Sequence, residues 1–286
     1  MKVNKLTLSS TDYPELLREI ASPPKQLYVL GELSPLLSQP RLAVVGSRKV
    51  SVYGRQVTQQ LAGEAARRGI VIVSGLALGV DGIAHQAALD NGGRTVAVLP
   101  SGLDKIYPAS HHQLAKRILE QGGALITEYP SGTEPFKTNF IARNRIVSGL
   151  SDGVLITEAA EKSGTLHTAN FALEQGRTVM AVPGNINSPL SQGTNNLIRA
   201  GATAITDVRD IFYALNLPFG MELATDIVGA NKEETIVLQL LAAGVTEMAE
   251  LLIRSELEPA IFNQTLTMLE INGKARPLGA GHWGLS

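Results

Sequence analysis

The sequence predicts a doubly wound α/β domain followed by a small helical domain that ends in a β-hairpin. Three observations carry this expectation. Seven short Val/Ile/Leu-rich runs recur from residue 41 onward: "LAVVG", "IVIVSG", "TVAVLPSG", "ALITEYPSG", "GVLITEA", "TVMAVPG" and "ATAI". They do not alternate with polar residues, so they read as strands buried on both faces, as in a parallel sheet. Helix-period stretches separate them at 53–68, 81–89, 111–121, 139–150, 166–175, 193–199 and 208–215. Gly69, Gly122 with Gly123, Gly176 and Gly201 follow helices as C-terminal stops should. Strands and helices alternating through short loops build an open sheet.

Taken in order, residues 1–40 contain several prolines and read as a packed lead-in rather than an independent domain. Residues 41–216 hold the repeating strand–helix pattern. Residues 217–230 read as a linker, and 231–286 as a separate module. That module has helices at 233–243, 246–254 and 259–271, the last with Pro259 near its first position and apolar Ile261, Phe262, Leu266 and Leu269. Two brief strands around a Gly-Ala-Gly turn follow, and three helices plus a hairpin is the order of a winged helix. Winged helices often read DNA with the third helix. Here 259–271 carries no Lys or Arg, so a protein contact is the expectation.

Composition excludes several classes. The 286 residues include no cysteine, which rules out disulfides, thiolate metal sites and cysteine nucleophiles. No apolar run approaches the ~20 residues of a membrane span, and the N-terminus lacks a signal-type apolar core, so no membrane partner and a cytoplasmic location are expected. The net charge of −1 conceals a segregation. Residues 41–150 carry 13 Lys+Arg against 7 Asp+Glu, whereas 225–286 carry 4 against 8.

Every Gly/Ser-rich loop falls after a strand and before a helix. All of them therefore gather at the carboxyl edge of the sheet, where open α/β sheets bind ligands and helix N-termini favour anions. The first, "GSRK", lacks the spaced glycines of a dinucleotide fingerprint, and no Gly-x-x-x-x-Gly-Lys-Ser/Thr occurs anywhere. The five histidines show no metal-binding pair. Asp81 reads as a helix N-cap with His85 as its neighbour. No Gly-x-Ser-x-Gly elbow supports a serine hydrolase. Ser163, Gly164 and Thr165 open a helix, where they suit either a phosphate or simple capping. The most informative stretch, "PFKTNFIARNRIVSGLSDG", interleaves Lys137, Arg143 and Arg145 with Phe136 and Phe140. Cations that track phosphates and rings that stack on bases are what sequence-tolerant single-strand binding requires.

The motifs "VVGSRKVSVYG", "VSGLALGVDGIAHQAAL", "VLPSGLDKIYP", "NFIARNRIVSGLS", "EAAEKSGTLHTANFALEQGR" and "VPGNINSPLSQGTNNLIRAGA", in that order over roughly 41–210, resemble the bacterial DNA-processing protein A (DprA/Smf) family. The resemblance implies an extended Rossmann-like domain that binds single-stranded DNA without catalysis or cofactor. It also implies protection of incoming DNA in natural transformation, loading of RecA recombinase, a homodimer, and a C-terminal winged helix. Carried over, the DNA pocket would use Gly46, Ser47 and Arg48, then Lys137, Phe140, Arg143, Asn144 and Arg145, then Ser163, Gly164 and Thr165. Where the family usually has proline after the phenylalanine, this chain has Ile141, and the helical domain that begins many relatives is here a lead-in of about 40 residues. The alternative is a nucleotide-processing enzyme similar to the phosphoribohydrolases. These carry a glutamate right after the Gly-Thr loop, where this chain has Leu166, His167 and Thr168, leaving Glu158 and Glu161 as candidates.

Overall fold

The computed structural model describes residues 2–219, 229–242, 245–279 and 281–285. The chain forms two compact units, Met1–Met221 and Glu222–Ser286. The first half of unit one runs β1 (Asn4–Thr7), α1 (Glu15–Arg18), β2 (Gln26–Gly31), α2 (Ser34–Leu37), β3 (Arg41–Val45), α3 (Val52–Arg67), β4 (Val71–Ser74), α4 (Val80–Asp90) and β5 (Thr95–Val98). It continues through α5 (His112–Glu120), β6 (Ala124–Thr127), α6 (Lys137–Gly149), β7 (Gly153–Ile156) and α7 (Leu166–Glu174). It closes with β8 (Thr178–Ala181), α8 (Gln192–Arg199), β9 (Thr203–Ala204) and α9 (Val208–Ala214).

The sheet has nine strands in the order β1-β2-β6-β5-β4-β3-β7-β8-β9. From β6 through β9 all neighbours are parallel. The non-alternating apolar runs have their cause here, because both faces are covered. In β3, Ala43 and Val45 enter the core on one face while Leu42 and Val44 enter the core on the other. In β7, Val154 and Ile156 face one side and Leu155 the other. Of the predicted helix-stop glycines, Gly69, Gly122, Gly176 and Gly201 hold a positive φ. The chain reverses direction of winding at β3, which lies between β4 and β7, and this opens the crevice where ligands bind in such sheets.

Residues 1–40 contribute more than a lead-in. β2 pairs antiparallel with β6, and β1 pairs antiparallel with β2. Tyr13, Leu17 and Leu27 are buried in the same core as Val45 and Ile146. One expectation about α4 is corrected. Gly79, not Asp81, occupies the N-cap, and Asp81 lies inside the first turn, buried.

Unit two contains α10 (Lys232–Ala242), α11 (Met248–Ser255), α12 (Pro259–Ile271) and the antiparallel pair β10 (Ala275–Gly279) and β11 (His282–Leu285). Val237, Leu251, Phe262 and Leu266 form its own core. Most of the expected linker, 220–228, lies outside the described residues, as do 243–244 and 280. Among the described residues no helix is long and apolar enough to cross a membrane, and no cluster of His, Asp or Glu could hold a metal ion.

Candidate nucleic-acid interface

At the carboxyl edge of the sheet lies a cavity of about 1080 Å³. The loop after β3 (Gly46 to Lys49) and the loop after β7 (Ala160 to Thr165) form two of its walls, and α6 forms a third. Local packing explains a glycine in the loop after β3 and another in the loop after β4. A Cβ on Gly46 would collide with Val80 and the Glu158 carbonyl. Gly79, at φ 79°, lies against the backbone of Ser47 and Arg48 so closely that no side chain fits.

α6 begins at Lys137, two residues earlier than its periodicity suggests, and its N-cap is Phe136. Lys137, Phe140, Ile141 and Asn144 line the cavity. Their spacing of three, four and seven residues places them on one helix face. Arg143 and Arg145 are two residues apart, hence about 200° apart around the axis, and cannot serve one groove together. Arg143 points down into the protein, only 3% exposed. Its Nη1 donates to the Gly75 and Val98 carbonyls, tying α6 to the ends of β4 and β5. Gly75 is glycine because a Cβ there would overlap the guanidinium. Burial lowers the Arg143 pKa to about 10, opposed by the Asp81 carboxylate, so it stays charged at neutral pH. Burial pushes the Asp81 carboxyl up, while Arg143 and hydrogen bonds from the Ala77 and Gly75 amides pull it down. Arg143 therefore forms the cavity floor as a buried charge that positions α6, rather than an exposed phosphate contact.

Arg145 is turned away and does not line the cavity. It makes a two-pronged ion pair with Glu128, Nη2 at 2.7 Å and Nη1 at 2.9 Å, and its Nε donates to the Ser22 carbonyl at 3.0 Å. Both side chains are less than a fifth exposed. Arg145→Ala is expected to lower stability by about 1.5–3 kcal/mol, the scale of a charged hydrogen bond. A chemical-denaturation curve checks this, and an unchanged midpoint with lost DNA affinity would return Arg145 to the binding surface.

The remaining sequence-predicted residues meet in the cavity. Arg48 is exposed, with its guanidinium carbon 5.0 Å from the Phe140 ring centroid. Tyr107 meets the same ring edge-on, at 5.4 Å between centroids and 77° between planes. Thr165 Oγ1 donates to the Gly46 carbonyl at 2.9 Å, and Ser163 Oγ donates to Thr165 Oγ1 at 3.0 Å. These hydroxyls lock the two loops together, so the anion donors they leave are backbone ones. Among the described residues the amides of Arg48 and Gly164 have no acceptor, and a Cβ on Gly164 would meet nothing within 4 Å. Ser47 keeps its hydroxyl within its own loop, donating to the Lys49 carbonyl at 3.0 Å.

Residues 4–216 match the family described as DNA recombination-mediator protein A. The chain belongs to that family. Residues 222–281 match the DprA winged helix domain, which agrees with the fold of unit two. Protein Smf of Escherichia coli is 49% identical over 214 residues, which is 75% of this chain and 56% of that protein. This chain thus spans little more than half the length of that relative. The structure of DNA processing protein A from Streptococcus pneumoniae superposes with a TM-score of 0.71 at 40% identity, covering 76% of this chain and 75% of that one. DNA processing protein A from Helicobacter pylori superposes with a TM-score of 0.67 at 36% identity, covering 75% and 96%.

In this member of the recombination-mediator family the structure adds cavity residues that sequence reasoning missed. Lys49 and Lys162 bring two further cations, and Tyr107 a further ring, 45% exposed. Lys49 and Lys162 adjoin motifs already singled out, and charge alone could have marked them. Tyr107 comes from the loop after β5, and only the fold brings it against Phe140. Among the described residues none of Arg48, Lys49, Lys137 and Lys162 forms an ion pair.

Proposed function

We propose that this protein is a non-catalytic single-stranded DNA-binding mediator that shields incoming strands and places RecA recombinase on them, acting as a homodimer. The observation that carries the DNA reading is the set of four unpaired cations around the Phe140–Tyr107 pair, at the sheet edge. Cations spread along an open groove suit the repeated phosphates of a strand, and exposed rings suit its bases. Arg48 covers a face of Phe140, so Tyr107 offers the more open ring for stacking. DNA processing protein A from H. pylori has a single-stranded DNA binding mode, and family membership supports the same ligand here. RecA and the homodimer follow from the family resemblance. Unit two is read as a protein contact, since α12 carries no cation and exposes Ile261, Met268 and Ile271.

The nucleotide-hydrolase alternative has less support. Glu158 is buried, and its carboxylate accepts from the Ser51 amide at 2.9 Å and from the Ser51 hydroxyl, outside the main cavity. Glu161 is exposed and does not line it. The carboxylate that does, Asp81, is held by the Gly75 amide at 3.1 Å. Fluorescence anisotropy with labelled oligo-dT and a matching duplex tests the proposal. Preferential single-strand binding is expected, weakening with salt. Equal affinity for duplex, or displacement by a micromolar nucleoside monophosphate, would overturn it.

A further inference from the structure

A second cavity, of about 620 Å³, is lined by the far end of the same loop and the start of α3. Val52 and Tyr53 of α3 form one wall, Pro183, Asn185 and Ser188 of the loop after β8 form the other, and Glu158 lies in the floor. Glu158 links the two sites. Its main-chain carbonyl accepts the Ser47 amide at 2.8 Å in the wall of the first cavity, while its carboxylate belongs to the second. Each carboxylate oxygen has one partner, the amide or the hydroxyl of Ser51, and keeps a lone pair.

The two cavities differ sharply in charge. The first carries Arg48, Lys49, Lys137 and Lys162, whereas no lysine or arginine lines the second. A carboxylate floor repels phosphate and favours a hydrogen-bond donor. The walls suit a flat, neutral group. Val52 is 75% exposed, and the Tyr53 ring is held by its hydroxyl, which donates to the Pro183 carbonyl at 2.7 Å. The exposed Asn185 and half-buried Ser188 add polar edges.

We propose that the second cavity is a base subsite for the strand whose phosphates occupy the first, and that it prefers bases bearing an amino group over thymine. The inference rests on the single-strand reading above. Cytosine, adenine and guanine each present amino N–H donors to the carboxylate. Thymine presents one imide N–H flanked by two carbonyl oxygens, which a carboxylate repels. A lysine or arginine from a protein partner would also satisfy Glu158. The base is favoured because the cavity adjoins the loop of the first cavity and, among the described residues, Glu158 is the one charged side chain in its lining.

The test is competition anisotropy at pH 8, with labelled oligo-dT displaced by unlabelled oligo-dC or oligo-dT of equal length. Oligo-dC is expected to compete at about 3- to 10-fold lower concentration, the scale of one net hydrogen bond. Asn185→Trp, which plugs the cavity without touching the Ser51–Glu158 contact, is expected to bring that ratio close to one. Ser188→Phe repeats the measurement if the first variant does not fold, as judged by circular dichroism. A ratio near one in the unmodified protein would overturn the subsite while leaving single-strand binding intact. A ratio preserved in a folded, plugged variant would overturn its location. No binding of either oligonucleotide would overturn the single-strand reading itself, and this inference with it.

Discussion

Arg143→Met is expected to lower the unfolding free energy by about 3–5 kcal/mol, because it removes a buried charge-bearing donor from two carbonyls and the positive charge that offsets the nearby buried Asp81 carboxylate without touching it. Asp81 would remain buried beside an apolar side chain, and the Gly75 and Val98 carbonyls would lose their donor. Methionine roughly keeps the volume, so the loss would be electrostatic more than a cavity effect. Asp81→Asn in the same background should recover part of it, because the stranded charge is then gone. A double-mutant cycle in urea measures this directly, and the double variant should lie well above the sum of the singles. The contrary result is an Arg143→Met protein of ordinary stability that no longer binds DNA. It would make Arg143 the direct phosphate contact that its place in the basic–aromatic stretch suggests.

Stability is expected to fall by about 2 kcal/mol between pH 7 and pH 5 through His85 alone. His85 is fully buried, and burial, with His111 and Arg143 nearby, pushes its pKa from 6.5 down to about 3. Thr95 Oγ1 donates to the Ile72 carbonyl at 2.6 Å, so it accepts from His85 Nδ1 at 2.6 Å, and the neutral ring carries its proton there. His85 Nε2 has no partner among the described residues. Between pH 6.5 and about 3 the unfolded chain binds a proton that the folded protein does not. Stability from this group is therefore complete above the unfolded pKa and is lost as pH falls, by up to about 1.4 kcal/mol per unit. His85→Asn keeps a donor for Thr95 and removes the titration. Denaturant curves at pH 7 and pH 5 should show a shallower pH dependence for the variant. Asp81, shifted upward by burial, acts with the opposite sign in both proteins and cancels in the comparison. Parallel slopes would contradict this account.

These two predictions concern residues whose roles the sequence shows only in part. The strands β3 to β8 are legible because burial on both faces leaves uninterrupted apolar runs, and glycine stops mark the helix ends. β1 and β2 are not, because an antiparallel edge has a weaker pattern. β1 is half exposed, and the prolines around β2 read as loop. In the site, residue types are legible while directions are not. Lys137, Phe140 and Asn144 share a face by spacing alone. The burial of Arg143 depends on Gly75 and Asp81, which lie far away in the chain and carry no mark of that contact. Arg145 is claimed by Glu128, at the start of the loop that leads into α6. Asp81 reads as an N-cap with His85 as its neighbour, but both lie inside α4, which is packed on nearly every side.

The central claim is that the cations of the first cavity hold the phosphates of a single strand. The most direct test is the salt dependence of oligo-dT affinity for the unmodified protein and for Arg48→Ala, Lys137→Ala and Lys162→Ala separately. Each phosphate neutralised contributes about −0.7 to the log–log slope, so four cations predict a slope near −3. Each variant should be shallower by about 0.7 with its melting temperature unchanged. A slope that none of the three substitutions moves would place the strand elsewhere on the molecule.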